Sequence, residues 1–177
     1  MNKMKETRSA SDSRKLLKRI CTAAVFAAIV FIATGFLPRI PIGSGYVHIG
    51  DAAIYLCAAM LPAPFAAPAA AIGASLADLS AGYASYIPAT AVIKALTVLA
   101  FSHGRGKLAS KRNLVACVLA LVLCVGGYFL WEMLIFSSLV APVASVIGNF
   151  MQSAVSAVLY FAAAYALDRT GISSKLM

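Results

Sequence analysis

LVACVLALVLCVGGYFLWEMLIF, residues 114–136, decides the fold class. Glu132 is its single charged residue, and neither a strict alternation nor an amphipathic stripe divides the run into a wet and a dry face. At about 1.5 Å per residue a helix of this length crosses the hydrocarbon core of a bilayer, roughly 30 Å thick. Further apolar blocks lie on either side, and over the whole chain 62% of the 177 residues are hydrophobic and 12% charged. A soluble domain keeps about a quarter of its residues charged. Such a chain cannot cover its apolar surface in water, so the bilayer is its solvent.

Working outward from this run, six spans are read at residues 20–37, 49–61, 65–81, 87–102, 114–136 and 142–167. The second is short, reaching only about 20 Å, and must be shielded by neighbouring protein or partly re-entrant. Pro38, Pro41, Pro62, Pro64, Pro88 and Pro142 fall at the ends, where a missing amide donor is tolerated. The basic stretch before residue 20 resembles a secretory signal. The apolar run behind it is long enough to span and more spans follow, so it is read as a retained first helix.

Charge sets the orientation. Lys3, Lys5, Arg8, Arg14, Lys15, Lys18 and Arg19 precede the first span; Arg105, Lys107, Lys111 and Arg112 follow the fourth; Arg169 and Lys175 follow the sixth. The opposite face carries Arg39 alone, which places both termini in the cytoplasm by the excess of Lys and Arg on that side. The net charge of +9 is therefore a topological signal, and no nucleic acid partner is expected. The expectation is an all-α polytopic membrane protein of six transmembrane helices. Residues 1–19 form a disordered or interfacial basic segment, 20–168 the membrane domain and 169–177 a cytoplasmic tail. Cys21, Cys57, Cys117 and Cys124 lie in apolar segments without a CxxC pair, so they read as packing residues, not a metal site or a disulfide framework.

An ionisable group within a span costs at least about 2.5–3.5 kcal/mol on insertion scales, which makes each one a candidate for function. His48 and Asp51 open the second span, Asp78 lies late in the third, Lys94 early in the fourth, Glu132 late in the fifth, and Asn149 and Gln152 early in the sixth. With alternating helix directions all seven share the outer half of the bilayer, and their one-sidedness argues against an ion wire. Residues three or four apart share a helix face, so Asn149 points with Gln152, and Tyr128 with Trp131 and Glu132. Rings beside amides and a carboxylate suit a flat small molecule with a polar edge. Tyr83 completes the candidate substrate-binding set.

Structural readings stand beside these. Asp78 and Lys94 form an ion pair between the third and fourth helices, or bind ligand. Asp51 caps the second helix through its dipole, His48 sits at the interface, and Tyr128 and Trp131 belong to an aromatic belt. The outer loop PRIPIGSGYV (residues 38–47) is read as a lid carrying Arg39, Gly43, Gly45 and Tyr46, or as a plain surface loop. The first helix holds Ala23 and Ala27, and Ala24 and Ala28, as overlapping AxxxA repeats, and the third holds Ala66, Ala67, Ala69, Ala70, Ala71, Gly73 and Ala74. Such small residues let helix backbones approach closely in lipid, either within the bundle or against another subunit.

HIGDAAIYLCAAMLPAP (residues 48–64), ADLSAGYASYIPATAVIK (77–94) and NFMQ (149–152), with the six spans and the AxxxA first helix, resemble the S components of energy-coupling factor (ECF) transporters. The nearest subgroup handles riboflavin, hydroxymethylpyrimidine or vitamin B6-like compounds. The resemblance implies a subunit of a bacterial plasma-membrane importer, without cofactor or ATPase of its own, that captures a vitamin or precursor. It docks on a transmembrane scaffold (T) subunit driven by two ATPase subunits. The first-helix alanines would meet that scaffold, and the outer loop with the polar layer would hold the ligand. No Walker-type glycine loop, HExxH or nucleophile elbow is present, so energy must come from a partner or a gradient. A self-contained carrier and an intramembrane enzyme using Asp51, Asp78, Glu132 and His48 remain the rival classes.

Overall fold

The computed structural model describes residues 2–37, 40–42, 45–101, 106–136 and 139–171. Arg39, Gly43, Arg105 and Lys175 lie outside them. Six helices run in chain order: α1 (Asn2–Gly35), α2 (Gly50–Met60), α3 (Ala63–Ser80), α4 (Ile87–Ala100), α5 (Lys111–Phe136) and α6 (Val140–Thr170). Between α1 and α2 lies an antiparallel ribbon of β1 (Ile40–Ile42) and β2 (Gly45–Val47), in which Pro41 faces Tyr46. Among the described residues the bundle is thus helical apart from this ribbon, which forms part of the stretch read as a lid or a plain surface loop; Ile, Tyr and Val at its paired positions favour the pleated backbone.

The basic segment before residue 20, expected to be disordered or interfacial, is helical: α1 begins at Asn2. No Gly or Pro interrupts residues 2–34, and Lys, Arg, Ala, Met and Glu are good helix formers. Elsewhere the helix ends follow local chemistry. Pro64 and Pro88 sit in the first turns of α3 and α4, where no amide partner is lost. Pro68 lies inside α3. At its far end Gly82 has φ 84°, and the Tyr83 amide returns to the Asp78 carbonyl at 2.8 Å. That left-handed turn folds Tyr83 back over the helix end.

α1, α3, α4, α5 and α6 pack in succession, and α2 closes the ring by contacting α1, α3, α4 and α6. Among the described residues three helices, spanning 12–35, 111–136 and 140–170, are long and apolar enough to cross a membrane. α2 is not; it is about 16 Å long. Nearly all of it is buried by its neighbours, from Ala53 to Met60 with Leu56 only partly covered. This is the shielding that its length requires.

The pattern of burial suits lipid. Leu114, Val118, Val122, Leu130 and Leu134 of α5 point away from the bundle, while Ala, Cys and polar residues fill its interior. Helices approach closely where glycine allows it: a Cβ at Gly73 of α3 would lie 2.5 Å from the Ala27 carbonyl of α1. Ala23 and Ala27 are accordingly packed against the core, whereas Ala24 and Ala28 are exposed. The AxxxA pair Ala23 and Ala27 serves packing within the bundle.

Candidate functional site

At the end of the bundle that carries the β-ribbon, a cavity with about 490 Å³ of empty space, its open mouth included, lies between the ribbon, α3, the turn before α4, α4, α5 and α6. His48, Asp78, Tyr83, Tyr128, Glu132, Asn149 and Gln152 all line it, as does Tyr46 of the ribbon. Most of the residues singled out on the sequence therefore meet in one place.

The floor is an ion pair. Lys94 Nζ of α4 lies 2.7 Å from Asp51 Oδ1 of α2, with both side chains nearly inaccessible. Gln152 Nε2 of α6 donates to Asp51 Oδ2 at 3.0 Å. Three helices are thereby tied at one point. Lys94 is partnered by Asp51 and not by Asp78, and Asp51, in the first turn of α2, makes no side-chain capping hydrogen bond. The amide of Gly50, the first residue of α2, instead donates to His48 Nδ1 at 3.1 Å. That bond makes Nδ1 an acceptor and leaves Nε2 to carry the proton of the neutral ring. A buried pair of this kind adds little net stability, but removing one member strands the other charge.

Above the floor, Asp78 accepts from Tyr46 Oη at 2.9 Å and from Thr90 Oγ1 at 2.6 Å, and Thr90 is also 2.9 Å from Tyr128 Oη. Glu132 accepts from Tyr86 Oη at 3.0 Å and from Ser145 Oγ. The rings form a continuous wall: Tyr46 stands 5.0 Å from Tyr83, Tyr83 5.9 Å from Tyr86, and Tyr86 6.3 Å from Tyr128, with His48 5.5 Å from Tyr46. Lys94 Nζ lies 5.5 Å from the Tyr128 ring centre, within cation–π reach.

Trp131 departs from the sequence reading. It does not line the cavity; its Nε1 donates to the Ser85 carbonyl at 3.1 Å, and its ring packs behind Tyr86 and Tyr128. Successive helical residues turn by about 100°, so Tyr128 and Glu132, four apart, share the inner face and Trp131 is swung off it. Asp51 and Lys94 likewise lie beneath the cavity wall, and Arg39 and Gly43 of the lid lie outside the described residues.

Tyr86, Thr90, Ser145 and Gly148 line the site and were not singled out on the sequence. A signal existed: Tyr86, just before α4, and Thr90 and Lys94 on it recur every four residues, and Ser145, Gly148, Asn149 and Gln152 follow the three-and-four spacing of one α6 face.

Comparison with known protein families matches residues 15–169 to "ECF-type riboflavin transporter, S component", a transporter-component family and not an enzyme family. No curated protein and no solved structure matches the chain. The matched segment contains all of α2–α5, α6 but for its last residue, most of α1, and every residue of the cavity wall. The chain belongs to the family of ECF-type riboflavin transporter S components.

Proposed function

We propose that this protein is the substrate-capturing subunit of an ECF-type importer in a bacterial plasma membrane. It takes a small vitamin or precursor from outside into the cavity at the ribbon end. The observation that carries this reading is the cavity itself: aromatic rings, two carboxylates and two amides converge in one recess at one end of an apolar bundle. The weight of Lys and Arg on the other side of the six spans supports both termini being cytoplasmic and the recess facing outward. Tyr46 joins the ribbon to Asp78 by a hydrogen bond and packs against the rings of Tyr83 and His48, so the ribbon is a lid that this hydrogen bond helps to latch.

Energy comes from a transmembrane scaffold subunit and two ATPase subunits, and the exposed alanines Ala24 and Ala28 of α1 form the surface that meets the scaffold. Purified in detergent, the protein gains thermal stability with riboflavin or another member of a panel of B vitamins and precursors, since a ligand that binds only the folded state raises the melting temperature. Mass spectrometry of the purified protein identifies the carried ligand. If no compound shifts the transition and none co-purifies, the capture reading falls. Ala24→Leu with Ala28→Leu is expected to leave ligand binding intact and abolish uptake in cells that hold the partner subunits. Uptake at the normal rate would remove α1 from the docking surface.

A further inference from the structure

We propose that this protein has a second binding site, a groove on its lipid-facing side between α4 and α5 that holds one acyl chain of a phospholipid from the leaflet at the ribbon end. The groove stands apart from the recess and does not depend on what the recess carries. It has about 1140 Å³ of empty space, its open side included, and runs along the outside of the bundle from Pro88 to Leu96 on α4 and from Val122 to Leu134 on α5. Every lining side chain is apolar except that of Trp131, whose one polar atom, Nε1, is committed to the Ser85 carbonyl. A ligand seated there finds no side chain to hydrogen-bond, so the chemistry that fits is hydrocarbon.

The groove has a cause in the sequence. Gly126 and Gly127 are adjacent inside α5, and a glycine within a helix costs about 0.5–1 kcal/mol relative to alanine. Gly127 has a reason within the chain: a Cβ there would lie 2.7 Å from the Ile93 side chain, so its bareness lets α4 come close. Gly126 has no such reason, because among the described residues a Cβ there meets nothing within 4 Å. On the four-residue row Val122, Gly126 and Leu130 it leaves a notch between two exposed side chains. Nothing inside the protein uses that space.

Length and shape select the occupant. The run from Pro88 to Leu96 covers about 12 Å and that from Val122 to Leu134 about 18 Å. The hydrocarbon of one leaflet is about 15 Å deep, half of the bilayer core. Both runs lie toward the ribbon end, where α4 begins and α5 finishes. A partner's transmembrane helix would need a contact through both leaflets and small residues four apart that let backbones close up. Here the rim is Val92, Leu96, Leu130 and Leu134, all exposed, and the neighbours of Gly126 at four residues are Val122 and Leu130. A bulky rim over a bare notch suits a thin flexible chain better than a helix about 10 Å across. Filling it supplies the dispersion contacts that an unfilled recess forgoes. The chain would also lie against Trp131, whose ring packs behind Tyr86 and Tyr128, so lipid closes the back of the aromatic wall.

The test is photolabelling of the intact protein in phosphatidylcholine vesicles, a small fraction of whose lipid carries a diazirine in mid-chain, with the labelled positions mapped by mass spectrometry. Val143, Ile147 and Val158 of α6 are as exposed as the groove rim and serve as the reference for ordinary lipid contact. The groove residues of α4 and α5 are expected to be labelled at least about fivefold more strongly than that reference, a preference that burying one or two further methylenes supplies. Gly126→Leu fills the notch from a position where the added Cβ touches nothing, and is expected to bring groove labelling down to the reference level without lowering the melting temperature. Equal labelling of groove and reference in the wild-type protein means an ordinary shell of exchanging lipid and overturns the site, whether or not the variant folds. Labelling below the reference, with cross-links between two copies of the chain at α4 and α5, means that a second copy covers the groove and overturns it as well. Strong groove labelling that Gly126→Leu leaves unchanged overturns the notch as the seat of the chain.

Discussion

The two ends of the bundle use similar side chains for opposite purposes. At the ribbon end the hydroxyls of Tyr46 and Tyr86 donate to carboxylates, and their rings border open space. At the other end Tyr160 is fully buried; its hydroxyl donates to the Leu108 carbonyl at 2.8 Å and accepts from Asn113 Nδ2 at 3.0 Å. Tyr55, Phe101 and Phe161 pack around its ring at 5.0–6.2 Å. Asp168 of α6 receives the amides of Leu108 and Ala109, closing the segment before α5. The difference lies in the partner. A tyrosine bonded to backbone has a fixed acceptor and fills its site, whereas one bonded to a carboxylate leaves acceptor capacity that a ligand can use. One end is packed shut and the other borders a cavity.

The comparison is broken most forcefully at the floor. Lys94→Met leaves Asp51 buried without its cation, and a loss of about 3–5 kcal/mol is expected in unfolding measurements in detergent. The double variant with Asp51→Leu removes both charges and is expected to recover most of that loss; no recovery would mean that the pair does not act as a unit. At the closed end Asn113→Ala removes the amide shared by Leu108 and Tyr160, with an expected loss of about 1–3 kcal/mol and unchanged ligand affinity. A fall in affinity would show that the two ends are coupled. The smallest effect belongs to the latch. Tyr46→Phe deletes one hydrogen bond, about 0.5–1.5 kcal/mol, and should appear as faster ligand release with almost no change in melting temperature. Unaltered release would separate the ribbon from ligand retention.

Much of the architecture was legible beforehand because lipid imposes a simple grammar: apolar runs long enough to span, prolines at the ends and basic residues collected on one side. The six helices fall within a few residues of the segments read from the sequence, apart from the extension of α1 to Asn2. The depth of the polar residues was legible too, since a charge within an apolar run is expensive and its distance from the helix end can be counted. Rotation and partnership were less so. Trp131 lies three residues from Tyr128 and next to Glu132, and only the packing of α5 against α4 showed that the inner face is the one Tyr128 and Glu132 share, with Trp131 off it. The sequence offered Asp78 as the ion-pair partner of Lys94, and the closeness of α2 to α4 gives it Asp51 instead. Ala23 and Ala24 look alike as letters; Gly73 on the facing helix draws Ala27 and its row inward and leaves the other row exposed.

By itself the sequence determined that this chain lives in a membrane, where its helices run and at which end its polar groups gather, because those properties depend on the cost of placing each residue in hydrocarbon. The tertiary structure alone decided which polar group answers which. It set Asp51 against Lys94, Asp78 against Tyr46 and Thr90, and Glu132 against Tyr86 and Ser145. Those pairings depend on helix rotation and close approach, and neither is written in any one segment.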